Sequence, residues 1–393
     1  MALREVIRLV GSAHPDVEAK DVMLRLDVVV GIRSHFIKLA ALQRYLRHHA
    51  PAEDASEFSF TYINTGQHYD YPLAGQFFDE LDVEISVDLR AAEPDNHPRE
   101  ILLNSIRLLE RRLEESDDGW PHAVVVFGDA NATLAGALAA ARLGLPVIHI
   151  EAGLRTGRLD TLEEINRRAV DHISSLHIAS SEIDLRNLER EGLGETSVYC
   201  GDLVKDLVHY YAAGQLGRGA AAGSGDFVLA TVHRAESLLP SVLPQILNGL
   251  GRVPRPVVLL AHPSLAACIR EQDLAVPGNV VAPGPVGYRD LLATISACAY
   301  VVTDSGALQR EAHFLGKRCL VLQERPFWSG LCLESANIAV NPEIDAIMSG
   351  LARIEDLVAL PVTPTSDFGT VPTARAILNS ISGWWRQRGM EAA

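Results

Sequence analysis

The segment from Val124 to Arg167 constrains the fold of this chain more than any other stretch. It contains two apolar runs, Val124–Gly128 and Val147–Ala152, separated by an Ala- and Leu-rich segment with helical periodicity. That segment closes on Gly144 and Pro146, which are typical of a helix end. A strand, a helix and a second strand in this order predict a βαβ unit of a parallel sheet. The chain is therefore predicted to be an α/β protein.

The same alternation continues on both sides of this unit. Strands predicted at Leu26–Gly31, Phe60–Gly66 and Leu176–Ser181 alternate with helices, and a second series of strands follows residue 225. The Gly- and Ala-rich stretch Gly214–Gly225 indicates a linker between the two series. We therefore expect two doubly wound, Rossmann-like domains facing a cleft. The predicted units are a leader (1–23), an N-terminal domain (24–210), a linker (211–225), a C-terminal domain (226–372) and a final helix (373–393) that packs on the N-terminal domain.

Composition narrows the range of partners. The 393 residues are 48% hydrophobic and 22% charged, which is typical of a well-packed soluble protein. A formal net charge of −15 argues against nucleic acid or an anionic membrane as the main partner. The five cysteines show no CxxC spacing, and neither a signal peptide nor an apolar run of spanning length is found. We expect a cytoplasmic protein with reduced thiols and no metal site.

Three acids are predicted to share one edge of the first sheet. Asp129 and Glu151 end the two strands of the βαβ unit, and Glu163 follows shortly after. Functional side chains of open parallel sheets gather beyond the carboxyl ends of the strands. An acid such as Asp129 can instead cap the following helix. The three together favour an active site, whereas Glu164 is predicted to be structural.

Residues suited to a phosphorylated ligand follow other strands. Arg33 and Lys38 lie at the first βα turn, where each can bind a diphosphate or a carboxylate. The turn Ser305–Ala307 precedes a helix that carries Glu311, which can accept hydrogen bonds from a ribose. A surface position for Arg33 and an ordinary helix cap at Ser305 remain alternatives.

Histidines supply a further candidate group. His233 follows the first strand of the second half, beside Arg234. It can act as a general acid, bind a phosphate group, or be a structural histidine. Gln67 and His68 follow the second strand and either line the cleft or form a hydrogen-bonded turn. No GxGxxG motif follows a strand, which disfavours a nicotinamide-dependent oxidoreductase.

From about Leu26 to the final helix, the chain resembles the UDP-N-acetylglucosamine 2-epimerases of the non-hydrolysing bacterial type. The resemblance rests on ordered motifs: GIRSHFIK, TGQHYD, FGDANATLAG, HIEAGLRTG, EEINRRAVDHIS, TVHRAES, HPS, GYRDLL and TDSGALQREA. It implies the glycosyltransferase-B architecture, a UDP-sugar in the interdomain cleft, no cofactor and a homodimer. Ser34 and His35 depart from the family's usual Pro-Glu, and Ala307 replaces a usual glycine.

The resemblance also implies roles for individual residues. The implied catalytic set is Asp129, Glu151, Glu163 and His233. The implied substrate-binding set is Arg33, Lys38, Arg155, Arg167, Arg234, Val286, Leu291, Ser305, Gly306, Ala307, Glu311 and Arg325. Gln67, His68 and Arg90 match a site where a second UDP-GlcNAc acts as an allosteric activator in this family.

The implied activity is interconversion of UDP-GlcNAc and UDP-ManNAc. The C2 proton of the sugar is not adjacent to a carbonyl, so elimination of UDP to a glycal and its re-addition is the available route. Four alternatives stay open: a hydrolysing epimerase that releases ManNAc and UDP, a 2-epimerase of a related UDP-diacetamido sugar, a glycosyltransferase of the same architecture, and a catalytically silent UDP-sugar-binding protein.

Overall fold

The computed structural model describes residues 23–51, 56–67, 75–92, 97–115, 120–214, 225–284, 286–324, 326, 328, 331–332, 337–362, 368–369 and 372–391. These residues form two parallel sheets with flanking helices. This arrangement confirms the predicted α/β class with two doubly wound units. The predicted leader lies outside the described residues except for residue 23. Of the predicted linker, residues 211–214, which end a helix, and residue 225 are described.

The first sheet has seven strands in the order β3-β2-β1-β4-β5-β6-β7. The strands are β1 (Leu24–Val30), β2 (Phe58–Asn64), β3 (Val87–Asp88), β4 (Ala123–Phe127), β5 (Val147–Ala152), β6 (Leu176–Ala179) and β7 (Ser197–Tyr199). The helices are α1 (Arg33–His48), α2 (Gly75–Leu81), α3 (Pro98–Glu114), α4 (Asn131–Arg142), α5 (Leu162–Ile173), α6 (Glu182–Arg190) and α7 (Leu203–Gly214), with a 3₁₀ turn at Gly194–Thr196.

The second sheet has six strands in the order β10-β9-β8-β11-β12-β13. The strands are β8 (Val228–Thr231), β9 (Val257–Leu259), β10 (Val280–Val281), β11 (Val301–Thr303), β12 (Cys319–Val321) and β13 (Asn337–Ala339). The helices are α8 (Leu243–Gly251), α9 (Pro263–Glu271), α10 (Tyr288–Ala297), α11 (Gly306–Phe314), α12 (Ile344–Leu357) and α13 (Thr373–Glu391).

Burial explains why these runs become strands and helices. Every residue of β4 and β5 is buried, as expected for central parallel strands that are covered by helices on both faces. Helix α3 instead buries one stripe, on which Leu109 and Leu113 are fully inaccessible to solvent. Both patterns could be read in the sequence, since one is continuously apolar and the other is periodic.

Each sheet has one topological switch point, where the strand order along the chain reverses. The functional loops lie at these two points. In the first sheet the switch point lies between the neighbouring strands β1 and β4, and in the second it lies between β8 and β11. At such a switch point the outgoing loops separate and leave a crevice beyond the strand ends. The loops after β1 and β4 carry Arg33 and Asp129, and those after β8 and β11 carry His233 and Ser305.

The two units are packed together along α7. This helix contacts α1 of the first unit and both α10 and α11 of the second. One buried apolar cluster includes Leu203 and Tyr211 of α7 as well as Tyr288 and Phe314 of the second unit. Burial of apolar side chains from both units stabilises their contact.

The C-terminal helix α13 crosses to the first unit. It contacts α1, α7 and β6, and the Trp385 ring lies 5.0 Å from the His122 ring between centroids. Arg386 adds an exposed ion pair to Glu57 at 2.6 Å. The domain boundaries given above stay a prediction. In the described part of the chain no helix is both long and apolar enough to cross a bilayer, and the five cysteines are free.

Glu80 of α2 caps a helix of the other unit. The first backbone N–H groups of a helix have no acceptor within it. The Glu80 carboxylate accepts hydrogen bonds from the N–H groups of Tyr288 at 2.8 Å and Arg289 at 2.6 Å, at the start of α10. A Cβ at Gly287 would lie 2.8 Å from Glu80 Oε2. A glycine at this position therefore makes room for a cap supplied by the other unit.

We expect Glu80→Ala to lower the free energy of unfolding by about 1 kcal/mol, because α10 loses a charged acceptor at its N-terminus. Glu80→Gln keeps one acceptor oxygen and should cost less. Urea denaturation measures both changes, with the exposed Glu114→Ala on α3 as the control. An equal loss in Glu80→Ala and Glu114→Ala would contradict the capping role.

Candidate active site

Glu151 lies near the end of β5 within a buried group of charges. Its side chain is 9% exposed, and Oε2 forms ion pairs with Lys38 Nζ and, at 3.2 Å, with Arg310 Nη1. Arg310 Nη1 also lies 2.7 Å from Asp202 Oδ2. Burial raises the pKa of Glu151, but Arg310 and Lys38 outweigh burial and hold this pKa well below its ordinary value. Glu151 is therefore a carboxylate at neutral pH.

The backbone around Glu151 is unusual in a way that directs its side chain. Glu151 has a φ of +69°, and the β5–β6 register shifts between Ile150 and Ala152. Left-handed backbone at a residue with a side chain costs on the order of 1 kcal/mol and is concentrated at functional sites. Gly128 has a φ of +61°, and a Cβ there would lie 3.3 Å from Lys38 Nζ. Glycine at 128 thus leaves space for the Lys38–Glu151 pair.

Asp129 follows β4 and is held by α5. Its carboxylate forms an ion pair with Arg167, whose side chain is 2% exposed, whereas that of Asp129 is 25% exposed. Asn166 Nδ2 donates a hydrogen bond to the Asp129 carbonyl oxygen at 2.9 Å. The charge of Arg167 also helps to lower the pKa of Glu151. One buried guanidinium therefore acts on both acids, which the structure brings to the same edge of the sheet.

The adjacent acids Glu163 and Glu164 have different surroundings. Glu164 is fully buried and accepts hydrogen bonds from Thr156 N and Thr156 Oγ1, both at 2.9 Å. It also pairs with Arg167 at 3.3 Å. Glu163 is half-buried in the first turn of α5 and forms no hydrogen bond or ion pair with any residue that the structure describes. Glu164 thus orders the loop before α5, and a catalytic role for Glu163 stays a prediction.

His233 is held at the end of β8 by an acid from the neighbouring strand. The Asp304 carboxylate accepts hydrogen bonds from the backbone N–H groups of His233 at 3.0 Å and Arg234 at 2.9 Å. His233 Nδ1 lies 3.2 Å from Asp304 Oδ1, with the His233 side chain 42% exposed. Burial lowers the pKa of His233 although Asp304 raises it, and the nearby Arg234, His262 and Arg33 lower it further. The ring is therefore mostly neutral at pH 7.

The turn at Ser305–Ala307 begins α11. Ser305 Oγ accepts a hydrogen bond from Leu308 N at 3.3 Å, which is the ordinary cap anticipated as an alternative. The same helix start keeps a positive dipole end for an anion. Glu311 is buried farther along α11, near the buried Tyr288, and burial raises its pKa against the influence of Arg33 and Arg310. The ordinary cap and an anion site at this turn are compatible.

Lys38 and Arg33 both belong to α1, but their side chains lie near different units of the protein. Lys38 pairs with Glu151, whereas Arg33 lies near enough to act on the pKa values of Glu311 and His233 in the other unit. Arg33 is thus the residue of this pair that faces the second unit, and a nucleotide contact of Lys38 stays a prediction.

A cleft of about 400 Å³ opens between the two units. Arg158 of the first unit reaches across it to Glu236 Oε1 at 3.5 Å. Arg234 lines the same cleft together with Asp160 and Glu324. Charged walls of this kind suit a polar ligand. Among the described residues, no three His, Cys, Asp or Glu side chains are grouped to hold a metal ion.

Arg155 lies in a buried network of charges, and its substrate-binding role stays a prediction. Its side chain is 8% exposed and pairs with Asp171 Oδ2 and Glu191 Oε2, both at 2.7 Å. Asp171 also contacts His149 Nδ1 at 2.6 Å, and His149 Nε2 lies 2.7 Å from the carbonyl oxygen of Gly128. The network therefore supports the turn that carries Asp129.

The proposed activator residues are only partly described. Gln67 Oε1 accepts a hydrogen bond from Ala132 N at 2.9 Å, at the start of α4. Arg90 has a φ of +50°, and its 86% exposed side chain lies 3.6 Å from Asp88. His68 lies outside the described residues. An allosteric site stays a prediction.

The remaining residues that are predicted to bind substrate belong to the second unit. Val286 is half-buried just before α10, and Leu291 is buried in its first turns. Both pack in the apolar cluster shared by the two units. Arg325 lies outside the described residues.

Sequence reasoning missed three residues of this site. Asp304 was not singled out, although it organises His233. Arg310 and Asp202 had no signal of their own, because their meaning comes from a contact between the two units. The one available indication was the position of Arg310 directly beside Glu311 in the short helix α11, where Leu308–Phe314 are all buried.

Comparison with known proteins places this geometry in a family. The family model for UDP-N-acetylglucosamine 2-epimerase matches residues 51–382. A UDP-2,3-diacetamido-2,3-dideoxy-D-glucuronate 2-epimerase of Pseudomonas aeruginosa is 31% identical over 335 residues, covering 83% of this chain and 90% of the relative. The crystal structure of Methanocaldococcus jannaschii UDP-GlcNAc 2-epimerase in complex with UDP-GlcNAc and UDP is 26% identical, with a TM-score of 0.81, and covers 92% of this chain and 100% of that chain.

A more distant likeness concerns the fold alone. A spinosyn rhamnosyltransferase aligns with a TM-score of 0.53 at 15% identity, covering 92% of this chain and 96% of that chain. The glycosyltransferase-B architecture expected from the sequence is thereby confirmed. With a family model that spans most of the chain and acids placed at the switch point of the first sheet, the protein belongs to the UDP-N-acetylglucosamine 2-epimerase family.

Proposed function

We propose that this protein is a non-hydrolysing UDP-N-acetylglucosamine 2-epimerase, which interconverts UDP-GlcNAc and UDP-ManNAc. The observation that carries the proposal is the placement of two carboxylates, Asp129 and Glu151, at one sheet edge with different partners. Glu151 is buried and ionised, whereas Asp129 is partly open to solvent. Two acid–base groups with different surroundings suit proton removal and proton return at one carbon.

The second unit supplies the groups that would hold the nucleotide. A diphosphate would bind at the start of α11, against the backbone of Ser305, Gly306 and Ala307. Glu311 would accept hydrogen bonds from the ribose, and Val286 and Leu291 would flank the uracil. Arg33 from the first unit and the half-exposed His233 would face the departing phosphate across the cleft.

The reaction then proceeds by elimination and re-addition. One carboxylate takes the proton from C2 while the bond between C1 and the UDP oxygen breaks, which leaves 2-acetamidoglucal and UDP. The other carboxylate protonates C2 from the opposite face, and UDP returns to C1. Cations and the helix dipole stabilise the negative charge on UDP while it is detached. Glu163 and His233 complete the proposed catalytic set.

A second candidate substrate is a UDP-diacetamido sugar. The P. aeruginosa relative, 31% identical, is named for 2-epimerisation of such a uronic acid nucleotide. The same elimination applies, because the reacting carbons are unchanged. A ratio of kcat/KM for the two nucleotides that favours the diacetamido sugar would make it the preferred substrate. A homodimer belongs to the proposal through the family resemblance, and a cytoplasmic location through the five cysteines, which lack CxxC spacing.

Proton NMR of UDP-GlcNAc with the enzyme in D₂O tests the proposed reaction. We expect UDP-ManNAc to appear, and the C2 proton of both nucleotides to be replaced by deuterium, because the proton removed exchanges with solvent. Stoichiometric free UDP with ManNAc would instead identify a hydrolysing epimerase. UDP release that depends on an added acceptor would identify a glycosyltransferase. Binding without any exchange would identify a silent binding protein.

A further inference from the structure

Arg310 is the one side chain of the second unit that forms an ion pair with Glu151 among the described residues. It projects from α11, one turn after the proposed diphosphate turn, whereas Glu151, Lys38 and Asp202 belong to the first unit. Its side chain is 4% exposed, and its guanidinium carbon lies 4.4 Å from the centre of the Trp328 ring. Arg310 is therefore held on several sides by contacts within the protein.

Four ion-paired side chains, Glu151 among them, form a group with two positive and two negative charges. Lys38 and Arg310 are cations, Glu151 and Asp202 are anions, and each side chain is less than a tenth exposed. Loss of one member would leave a net charge in a dry site, which is costly. Asp202 is itself anchored, since its Oδ1 accepts a hydrogen bond from Val204 N at 2.8 Å at the start of α7.

Glu151 has one partner from its own unit, Lys38, and one from the other unit, Arg310, whose contact depends on how the two units pack. Lys38 stays with Glu151 whatever the position of the second unit, because both belong to the first. Arg310 reaches Glu151 only when α11 lies against α7. A diphosphate bound at the start of α11 would hold that helix in place, and with it Arg310.

We propose that Arg310 is a positioning residue that ties the orientation and ionisation of Glu151 to the position of the diphosphate-binding helix of the other unit. This inference rests on the proposed function for its catalytic meaning. The charged groups that face Glu151 are Lys38 of α1, Arg167 of α5 and Arg310 of α11, with Asp202 behind Arg310. With the second unit docked, all three cations favour the carboxylate; with α11 displaced, Glu151 loses one and becomes easier to protonate.

Titration of Glu151 without turnover tests the inference. Protein labelled with ¹³C at the glutamate carboxyl is titrated, and the Glu151 signal is assigned by its absence in Glu151→Gln. In the parent we expect the Glu151 signal to titrate well below pH 4, so the titration is carried to the lowest pH at which the protein stays folded. In Arg310→Gln the midpoint should rise by about one pH unit or more, because an opposite charge at this distance has been removed.

Kinetics provide the second readout. For Arg310→Gln the acid limb of the kcat profile should move to higher pH, with KM for the UDP-sugar within about threefold, and Arg310→Lys should restore the parent profile because it keeps the charge. Arg386→Gln, an exposed arginine of α13, controls for loss of an arginine. If Arg310→Gln does not fold, the charge-balanced double variant Arg310→Gln with Asp202→Asn should shift the midpoint in the same direction but by less, because it also removes the nearby Asp202 anion.

Two results would overturn the inference: an unchanged Glu151 titration in a folded Arg310→Gln or double variant, or an Arg310→Lys variant that behaves like Arg310→Gln. The first outcome would make the contact a structural ion pair only. Since the titration needs no turnover, it decides the role of Arg310 even if the protein fails to epimerise UDP-GlcNAc. Conversely, epimerisation with an unchanged titration would leave the proposed function standing and remove only this inference.

Discussion

Glu151→Gln is expected to reduce proton exchange at C2 of UDP-GlcNAc by about 10²–10⁴-fold, the usual contribution of a general acid–base group. Glutamine has nearly the shape of glutamate but cannot accept the proton. Because the Glu151 carboxylate pairs with Lys38 and Arg310 and not with the turn Ser305–Ala307 proposed to hold the diphosphate, UDP should bind the variant about as tightly as the parent. Deuterium incorporation followed by NMR measures the first quantity, and calorimetry measures the second.

Two further variants separate chemistry from folding. Glu151→Asp keeps the charge but withdraws the carboxylate by one methylene, so it should fold like the parent and still lose most of the exchange. Glu182→Gln removes an exposed carboxylate that pairs with Arg186 on α6 and should leave exchange unchanged. Exchange at the parental rate in a folded Glu151→Gln would remove Glu151 from the catalytic set.

The fold could be predicted well because its signals are local. The run Val147–Ala152 is a strand with the predicted bounds, and the strand predicted at Val124–Gly128 is observed at Ala123–Phe127. Continuous apolar runs of this length, bounded by Gly and Pro, have few other places in a soluble protein than the centre of a parallel sheet. The two-residue strand Val87–Asp88 was missed, since so short a segment carries no periodicity.

The candidate site could be predicted only in part. Asp129 and Glu151 were expected at one edge of the sheet because strand ends align, and the structure places both there beside Arg167. Their partners could not be inferred in the same way. Arg310 lies 159 positions from Glu151, and their contact depends on how two separately folded units pack. Neither propensity nor periodicity contains that information.

The contacts of Arg155 illustrate the same limit, and its predicted substrate-binding role stays a prediction. A basic residue shortly after a catalytic acid suits an anionic substrate, and nothing in the local sequence opposes that interpretation. Its contacts with Asp171 and Glu191, however, engage the guanidinium inside the first unit. These two acids lie 16 and 36 positions after Arg155, on α5 and at the end of α6. A local sequence motif does not show contacts between residues so far apart in the chain.

Asp171 is the centre of this buried network and the second residue whose loss should have a large effect. Its Oδ1 contacts His149 Nδ1 at 2.6 Å, and its Oδ2 lies 2.7 Å from Arg155 Nη2 and accepts a hydrogen bond from Gly153 N at 3.1 Å. Burial raises the pKa of Asp171, but His149 and Arg155 lower it to about 2. Asp171 is therefore ionised and fully buried, and its partners depend on its charge.

We expect Asp171→Asn to lower the free energy of unfolding of the N-terminal unit by about 3 kcal/mol or more, because Arg155 loses a buried counter-charge and the hydrogen-bond network around Asp171 is disrupted. The matched control is Glu191→Gln, which removes the more exposed partner of Arg155 and leaves the Asp171 pair intact, at an expected cost below about 1 kcal/mol. Urea denaturation followed by fluorescence measures both, and equal losses in the two variants would contradict a central role for Asp171.

The pH dependence of the same contact provides an independent check. Since the folded-state pKa of Asp171 lies below its ordinary value of 3.8, its contribution is fully present above about pH 4 and is lost as pH falls towards 2. The stability difference between parent and Asp171→Asn should therefore be constant from neutral pH to about pH 4 and shrink at lower pH. A difference that persists undiminished at the acid end would mean that asparagine fails through its shape, and that the charge of Asp171 does not hold the turn of Gly128 and Asp129.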